Sequence, residues 1–496
     1  MQQEEGKIDT NLYSRQIGTY GIETMGKLIK MNVLIVGLRG LGVETAKNLI
    51  LAGPKSVTLY DPTTVQWGDL SSNFYCREEH IGKTTRADAS FTKLQELNPY
   101  VKVQVINSLT LEDHANYNVV CYTEIFENIE KMIEVDEFCR ARGIGFILTT
   151  TFGPSGFTFL DYGTDFIVTD ADGEETKAFI VVNVTQTNPC IVTVHEDKRH
   201  KFQDGDSIVF REVQGMTELN SLPPTEITVI DGFSFKVNVD ATNFAPYTRE
   251  GLVENIKVPK KVTYHSLKQS IHNPVASSQY GMLETPDLRF WGRSDILHLA
   301  FCGILDFQRT QGHLPANTEH DFQSVLASVK RINEENKATE GLHLEEIDEK
   351  IVRNATLYSR ACISPMAAFF GGVVAQEIVK FTGKYSPLKQ WLHYDIFETL
   401  PRTEVNREPL GCRYDDQILV YGRETQEKLS RVRTFMVGAG ALGCEYVKAF
   451  ALMGVGCSEY GKVTVTDNDN IEVSNLNRQF LFRKSNVGES KSGVAC

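Results

Sequence analysis

The sequence lacks the features that mark several broad classes of protein. Basic residues are outnumbered by acidic ones, 51 to 64, and a formal net charge of −13 argues against a surface that coats nucleic acid. No apolar run approaches the roughly 18 residues that indicate a membrane-spanning helix. The opening "MQQEEGKIDT" has no apolar core, so we do not expect a signal peptide. We therefore predict no nucleic-acid partner and no membrane association, although this charge leaves room for a local site that binds a small phosphate.

Paired cysteine spacings are also missing. The ten cysteines are scattered, without the spacing of a zinc site and without a secretory context. We interpret them as reduced thiols, which predicts a cytoplasmic and nuclear protein. What remains is an ordinary globular composition, 41% hydrophobic and 23% charged, in a chain of 496 residues. That length predicts about three to four domains.

An internal repeat is the strongest pattern in the chain. Residues 13–50 align without gaps with residues 414–451, and 15 of the 38 aligned positions are identical. Typical residue frequencies would give only about two matches by chance. The two segments are therefore copies of one unit, called copy one and copy two below.

Each copy predicts a strand, a glycine-rich turn, a helix and a second strand. The apolar runs "NVLIVG" and "RTFMVG" precede the amphipathic stretches "VETAKNLILAG" and "CEYVKAFALMG", and the next strands end in Asp61 and Asp467. An acid about 20 residues after the glycines is typical of a dinucleotide-binding βαβ unit. One such fingerprint is a weak signal, because a tight strand-to-helix turn without a ligand has the same pattern.

The tract after the second aspartate favours a nucleoside triphosphate. Copy two continues "DNDNIEVSNLNRQFLFRKSNVGESKS", which supplies Asp469, Asn475, Arg478, Gln479 and Lys491. Arginine and lysine beside a helix N-terminus suit a polyphosphate, and a second acid suits its magnesium ion. The alternative interpretation of this tract is a solvated helix face.

Copy one has lost the same groups. Arg39 replaces the central glycine of the turn, whose missing Cβ lets a phosphate approach the backbone. The four aligned positions of the later tract carry Thr63, Asp69, Ser72 and Thr85. Because every loss falls on a ligand-type position, we expect copy two to bind a triphosphate and copy one to serve as scaffold.

Several segments of the chain resemble one enzyme family. The run "SNLNRQFLFR" followed by "VGESKS" is similar to the ubiquitin-activating (E1) enzymes and their bacterial relatives in molybdopterin and thiamine biosynthesis. Further segments resemble successive parts of the same family: "YSRQIGTYG", "FGPSGFTFLDYG", "DGDSIVFREVQGMTELN", "LHLAFCGILDFQRTQGHLP" and "SPMAAFFGGVVAQEIVKFTGKYSPLKQWLHYD". The resemblance covers nearly the whole chain, and it is closest to the single-chain ubiquitin-type E1s.

The resemblance implies an α/β fold with two Rossmann-like ThiF-type units, the first inactive and the second truncated, and with two inserted domains. The expected order is an inactive adenylation domain (1–167), an all-β first catalytic-cysteine half-domain (168–258), a four-helix bundle (259–350), the return of the inactive domain (351–408) and part of the active adenylation domain (409–496). The residues alone agree, since short strands alternate with turns in the second segment and helical periodicity dominates the third.

The implied reaction is ATP-dependent adenylation of the C-terminal glycine of ubiquitin, followed by thioester transfer. Such a reaction needs placed cations and Mg²⁺ more than a nucleophile from the protein, because negative charge develops on the phosphates. The family roles fall on Gly438, Gly440 and Gly443 for the phosphate turn, Asp467 for the ribose, Arg478 and Lys491 for the phosphates, Asn475 and Gln479 for aligning nucleotide and carboxylate, and Asp469 for assisting magnesium.

The resemblance also explains why a degenerate copy is kept. In this family an arginine of the inactive unit reaches the γ-phosphate bound by the active one, and Arg15 matches it, whereas copy two has Asp416 at that position. We therefore expect an internal pseudo-twofold arrangement and a monomer. The alternative for Arg15 is an exposed residue in a surface salt bridge.

One departure from the family pattern is large. The family's thioester cysteine, its principal magnesium aspartate and its E2-recruiting domain have no matching segment before Cys496. We expect the chain to be the N-terminal half of an E1, with E2 conjugating enzymes as partners of the missing part. Two other functions stay open: a non-catalytic scaffold that binds a modifier, and a nicotinamide- or flavin-dependent oxidoreductase, which would use the same glycine turn without the basic tract.

Overall fold

Two sets of residues pack as separate units in the computed structural model, which describes residues 8–277, 283, 287–339 and 341–496. The first unit runs to Phe166 and includes Thr263–Thr382 and Pro387–Cys496. The second contains Ile167–Val262 and Gly383–Ser386. The acidic opening, residues 1–7, lies outside the described residues.

Strands occur in both units. In chain order they are β1 (Asn32–Val36), β2 (Ser56–Tyr60), β3 (Lys102–Val105), β4 (Val119–Tyr122), β5 (Gly145–Phe152), β6 (Ser155–Asp161), β7 (Phe166–Val168), β8 (Ala178–Val184), β9 (Cys190–Val194), β10 (Ser207–Arg211), β11 (Thr225–Val229), β12 (Ser234–Val237), β13 (Leu252–Ile256), β14 (Lys260–Val262), β15 (Trp391–Asp395), β16 (Arg433–Val437) and β17 (Lys462–Thr466).

The α-helices all lie in the first unit. In chain order they are α1 (Ser14–Tyr20), α2 (Ile22–Leu28), α3 (Gly40–Ala52), α4 (Arg86–Gln95), α5 (Ile129–Arg140), α6 (Leu267–Ser270), α7 (Arg293–Gln311), α8 (Glu319–Ala338), α9 (Glu349–Leu357), α10 (Ser364–Lys380), α11 (Asp415–Tyr421), α12 (Arg423–Ser430), α13 (Ala441–Met453) and α14 (Lys491–Ala495).

A seven-stranded sheet organises copy one. Its order is β15-β6-β5-β4-β1-β2-β3; β1 to β5 are parallel, β6 is antiparallel to β5, and β15 is antiparallel to β6. The interior strand β1 is buried from Val33 to Val36, as expected for a parallel strand covered on both faces. The strand order reverses between β1 and β4, and in such sheets ligands bind at the carboxyl ends of the strands at that point.

The strand-turn-helix order predicted for both copies is confirmed. In copy one, β1 leads through the turn into α3 and then β2, and α3 ends at Gly53, whose φ of 91° is left-handed. In copy two, β16, α13 and β17 follow the same order, and β16 pairs with β17 in parallel from Arg433↔Lys462 to Val437↔Thr466.

The second unit contains a closed six-stranded barrel. Its order is β10-β11-β12-β9-β8-β13. Side chains alternate, and on β9 Cys190, Val192 and Val194 point into the core. The sequence pattern predicted strands at β7 to β12 but missed β13, which closes the barrel by pairing with β10 and β8.

The chain leaves the first unit after Phe166 and returns to it at Thr263, and hydrogen bonds join the first-unit residues on either side of this insertion, a place called the stem. The Tyr264 amide donates to the carbonyl of Gly163 at 2.9 Å, and the Thr263 hydroxyl donates to the carbonyl of Thr164 at 2.8 Å. Arg140 donates to the carbonyl of Tyr264 at 2.7 Å and to both oxygens of Asp161 at 2.6 Å. These bonds hold both ends of the insertion together.

The inserted helices share a core with the sheet. Phe301 of α7 lies 5.4 Å from Phe157 of β6, centroid to centroid, and the Trp391 indole donates to the Ser270 hydroxyl at 2.6 Å. The predicted fold class is thus confirmed in its main parts: a Rossmann-like α/β core with a parallel sheet, an inserted β-barrel and a helical bundle. Among the described helices, none combines the length and apolar character needed to cross a membrane.

Candidate functional site

The glycine turn of copy two leaves space for a ligand next to its backbone. Gly438 has a φ of 102°, in the left-handed region that favours glycine. A Cβ on Gly443 would overlap the carbonyl group of Gly438, so the first turn of α13 also needs glycine. A Cβ built on Gly440 would have Gln479 Nε2 as its nearest neighbour, 4.0 Å away. A phosphate could therefore approach the turn and the N–H groups at the start of α13.

Asp467 holds this turn in place. Its Oδ2 accepts a hydrogen bond from the Ala439 amide at 2.6 Å, and its Oδ1 accepts one from the Asp469 amide at 2.8 Å. Burial opposes the charged form, but these two N–H groups and Lys491 outweigh it and lower the pKa of Asp467. Asp467, which we predicted to bind the ribose, therefore also stabilises the loop through these hydrogen bonds.

Two amide side chains line the site beneath the turn. Asn475 is buried, and its Oδ1 accepts a hydrogen bond from the Glu472 amide at 3.0 Å, which fixes its orientation. Gln479 is also buried, yet its Oε1 has no hydrogen-bond partner. A buried polar atom without a partner is costly, and a bound ligand would remove that cost.

The two predicted phosphate-binding cations lie on separate elements. Arg478 is exposed, and its Nη1 donates to the carbonyl of Ser474 at 2.6 Å. Lys491 is buried at the start of α14, with its Nζ 2.8 Å from Asp469 Oδ2. In the structure, Lys491, which we predicted to bind phosphate, thus forms a salt bridge with Asp469, which we predicted to assist magnesium.

Arg15 of copy one is near enough to Arg478 of copy two for its charge to act on it. Partial burial and the positive charge of Arg15 together lower the pKa of Arg478. Neighbouring guanidinium groups repel each other, and an anion between them would relieve the repulsion. The position of Arg15 in the sequence gave no structural reason for this proximity; the fold supplies it.

The described residues fit the nucleotide better than they fit the metal. The open glycine turn, the unpartnered Gln479 oxygen and the Arg15–Arg478 pair suit a polyphosphate ligand. In the described part of the chain, no group of three or more His, Cys, Asp or Glu side chains could hold a metal ion. Asp469 offers one carboxylate, so its role toward Mg²⁺ stays a prediction.

The corresponding turn of copy one is occupied by its own side chains. Arg39 adopts nearly the same backbone angles as Gly440, −64° and −170° against −76° and −152°. Its Nη2 lies 3.0 Å from Asp416 Oδ2, and its Nε lies 3.8 Å from Asp69 and 3.9 Å from Glu124. The arginine thus takes the space that is open in copy two.

Carboxylates outnumber cations in the copy-one turn. A second guanidinium, from Arg86, lies 2.9 Å from Asp69 and 3.6 Å from Asp61. Two arginines therefore face four carboxylates, those of Asp61, Asp69, Glu124 and Asp416. Burial raises the pKa of Glu124, although Arg39 and Arg86 act against the rise. This net negative environment would repel a triphosphate.

The packing around the copy-one helix start is also tight. A Cβ on Gly40 would lie 2.6 Å from Ser72 Cβ and 2.9 Å from Ala367 Cβ. A cavity of about 320 Å³ nearby is lined by Arg39, Arg86 and Glu124 among other residues. Close packing and charge together agree with the expectation that copy one is scaffold.

The pairing of Asp416 with Arg39 was missed from the sequence. Arg15 and Asp416 occupy equivalent positions in α1 and α11, and each lies next to the other copy's site. The sequence showed the substitution of one by the other, but a contact across the copies depends on their packing. The sequence did contain a signal for this contact. Copy one has arginine at positions 15 and 39, whereas copy two has Asp416 and Gly440 at the equivalent positions.

The cysteines behave as packing residues. All ten thiols are unpaired, and seven are buried. Cys444 at the start of α13 is fully buried, and desolvation raises its pKa to about 11, which makes it a poor nucleophile.

Three family models match the chain in the order that the fold shows. The ThiF family model matches residues 414–496, which contain copy two. The model of the ubiquitin-activating enzyme E1 FCCH domain matches residues 187–257, within the barrel unit. The model of the ubiquitin-activating enzyme E1 four-helix bundle matches residues 258–333.

Curated proteins match over almost the entire chain. The protein named ubiquitin-activating enzyme E1 2 of Arabidopsis thaliana is 44% identical over 497 residues, covering 99% of this chain and 45% of the relative. Ubiquitin-like modifier-activating enzyme 1 is 43% identical in Oryctolagus cuniculus and 42% in Homo sapiens, each over 99% of this chain and 46% of the relative. The chain thus spans about half the length of these relatives.

Proposed function

We propose, from the premise that this chain belongs to the ubiquitin-activating enzyme E1 family, that copy two binds ATP and activates the C-terminal carboxylate of ubiquitin, or of a related modifier, as an acyl-adenylate. Thioester transfer would follow in the whole protein. This chain covers 45% of the length of its relative, so we propose both steps for the whole protein.

The contrast between the two turns carries the proposal. Copy two keeps an open space over Gly440, while in copy one Arg39 fills the same space and pairs with Asp416 at 3.0 Å. A phosphate needs close approach to backbone N–H groups and nearby cations, and copy two alone offers both. The unpartnered buried Oε1 of Gln479 adds a polar atom that a ligand would satisfy.

The residues of this chain would act by binding and orientation. Gly438, Gly440 and Gly443 would let the phosphates reach the N–H groups of α13, and Arg15 and Arg478 would flank them with positive charge. Asn475 and Gln479 would align the nucleotide with the incoming carboxylate. Lys491 would exchange its contact with Asp469 for a phosphate, and Asp467 would keep the loop closed while binding the ribose.

We further propose the partners and the setting of the protein. Ubiquitin or a related modifier would be the substrate, and E2 conjugating enzymes would be partners of the whole protein. An internal pseudo-twofold removes the need for a homodimer, so we propose a monomer. Reduced thiols agree with a cytoplasmic and nuclear location.

Nucleotide binding and pyrophosphate exchange test the proposal. Fluorescence titration of the chain with an ATP analogue should show saturable binding that Arg478→Ala weakens about tenfold, in the range of one lost charge-assisted contact. Arg431→Ala, at an exposed position of copy two, is the matched control. Exchange of labelled pyrophosphate into ATP should depend on added ubiquitin.

The outcomes separate three functions. ATP binding with ubiquitin-dependent exchange supports activation of the modifier. ATP binding or ubiquitin binding without exchange favours a non-catalytic scaffold. Binding of NAD in preference to ATP favours an oxidoreductase and contradicts the proposal.

A further inference from the structure

Four charges, three of them buried, meet where the two copies contact each other. They are Glu44 and Lys47 of α3 and the equivalent Glu445 and Lys448 of α13. We call these four residues the charge ring. Side chains of Lys47, Glu44 and Lys448 are 2%, 3% and 1% exposed, whereas Glu445 is 37% exposed.

Each ammonium group in the ring bridges both carboxylates. Lys47 Nζ lies 2.9 Å from Glu44 Oε2 and 2.5 Å from Glu445 Oε1. Lys448 Nζ lies 2.6 Å from Glu445 Oε2 and is also hydrogen-bonded to Glu44 Oε1. Opposite charges therefore alternate around a closed ring with no net charge. Burial opposes ionisation of Glu44, but the two lysines outweigh it and lower its pKa.

The ring also touches the basic tract of copy two. The Phe480 ring lies 4.5 Å from Lys47 Nζ and 5.4 Å from Lys448 Nζ, measured to its centroid. Such cation–π contacts are strongest when desolvated, and Phe480 is 2% exposed. The next two residues toward the N-terminus are Gln479 and Arg478, both predicted nucleotide contacts.

The ring thus joins two segments of the candidate site that are distant in sequence. Glu445 lies near the start of α13, two residues after Gly443 of the phosphate turn. Phe480 lies directly after the Arg478–Gln479 pair. Both segments are held to α3 of copy one through the same four charges.

We propose that the charge ring positions the phosphate turn and the Arg478–Gln479 segment relative to each other, so that its integrity sets the affinity of copy two for ATP. This inference rests on the proposed function, because it concerns the same nucleotide site. Its residues are positioning residues, since none contacts the open space over Gly440.

Removing one charge would make the site sensitive to pH. Lys47→Met leaves two carboxylates and one ammonium, so the pKa of the buried carboxylate of Glu44 rises because burial disfavours an unpaired charge. The ring then regains neutrality when that carboxylate takes up a proton. The other titratable groups that interact with the ring are Tyr75 and Cys444, and Arg483 acts in turn on Tyr75.

The experiment measures binding of a fluorescent ATP analogue to the chain between about pH 6 and pH 8.5, at a temperature where circular dichroism shows each variant folded. Lys47→Met should weaken binding about 2- to 30-fold at the upper pH, the range expected for a coupling network, and recover as the pH falls. Lys47→Met/Glu445→Gln keeps one charge of each sign, so its affinity should not depend on pH. Lys30→Met, at an exposed position of copy one, is the control.

A second variant guards against a failure to fold. Phe480→Leu removes the aromatic ring over the two lysines without changing charge, so it should weaken binding with a pH profile like that of the unmodified chain. Wild-type affinity and a flat pH profile in Lys47→Met would overturn the inference. Where Lys47→Met does not fold, wild-type affinity in Phe480→Leu would overturn it. A chain that binds no ATP at all would instead overturn the proposed function and, with it, this inference.

Discussion

The two copies have the same local structure but very different surroundings. Both form a strand, a glycine turn and a helix, yet their equivalent apolar side chains differ in exposure. The values are 0%, 0% and 2% for Leu34, Val36 and Leu41, against 69%, 78% and 73% for Phe435, Val437 and Leu442. Local sequence is therefore enough to form the βαβ unit, while burial is supplied by neighbouring elements.

The neighbours explain the difference. Strand β1 pairs with β2 on one side and β4 on the other, and α3 packs closely on α10, where a Cβ on Gly371 would lie 2.5 Å from Glu44 Cβ. In the described part of copy two, β16 pairs with β17 alone. Within the described residues, the turn of copy one is therefore filled by side chains, whereas the turn of copy two is open and its two strands have fewer neighbours.

Amide hydrogen exchange should show the largest difference between the copies. Amides of β1 should exchange only through global unfolding, whereas those of β16 should open locally, because few contacts cover them. We expect β16 to exchange about a thousandfold faster, which corresponds to roughly 4 kcal/mol. Similar protection in the two strands would contradict the comparison.

The variant Arg39→Gly tests whether Arg39 only fills the turn of copy one or also stabilises the fold. Removing this arginine leaves Asp69, Glu124 and Asp416 short of positive charge, so the free energy of unfolding should fall by about 3 kcal/mol. This value is at the low end for a broken buried ion pair, because the arginine side chain is a quarter exposed. Chemical denaturation measures the loss.

Two readouts complete the Arg39→Gly test. The loss of stability should be larger at high pH, because burial already raises the pKa of Glu124 and of Asp416 and their protonation relieves the excess charge as the pH falls. Copy one should gain no affinity for ATP. A second ATP site in this variant would show that the arginine alone blocks copy one.

The reciprocal change, Gly440→Arg, places copy one's arginine in the turn of copy two. Its side chain would occupy the open space over the turn, so ATP affinity should fall about 100-fold, or roughly 2.7 kcal/mol. Gly456→Ala is not a suitable control because Gly456 has a φ of 69°. Gly493→Ala is a suitable control, since the nearest neighbour of the added Cβ would lie 3.7 Å away. Unchanged affinity would place the nucleotide elsewhere.

Arg15→Ala should have the smallest effect. The variant loses one cation beside Arg478, so ATP binding should weaken about tenfold, or roughly 1.4 kcal/mol, and pyrophosphate exchange should slow while the melting temperature stays the same. Arg15→Lys should recover part of the loss. An unchanged exchange rate would refute donation of this arginine across the copies.

The sequence predicted the elements that have strong local signals. Apolar runs bounded by glycines located β1, α3, β16 and α13, because periodicity and a left-handed residue such as Gly53 mark their ends. Strand β13 was missed because Val253 is its only fully buried side chain, so its "LVENI" pattern lacks a clear apolar face. Its place in the barrel depends on pairing with strands far along the chain.

The candidate site was predictable in composition but less so in its contacts. The loss of ligand-type residues from copy one predicts that copy two is the nucleotide unit, whereas the salt bridge of Lys491 to Asp469 became visible only in the structure. The charge ring could not be predicted from the sequence for another reason. Lys47 and Lys448 are identical in the alignment, but charged residues on amphipathic helices normally face solvent, and only the contact between copies buries them.

The stem ties together the two ends of the segment that carries the barrel strands. Gly163 and Tyr264 are hydrogen-bonded to each other, although β8 to β13 lie between them in the sequence. Because residues of the first unit fix both ends of this segment, a change in the length of a loop between barrel strands need not move β6, which ends just before the stem. We therefore expect insertions in those loops to be tolerated.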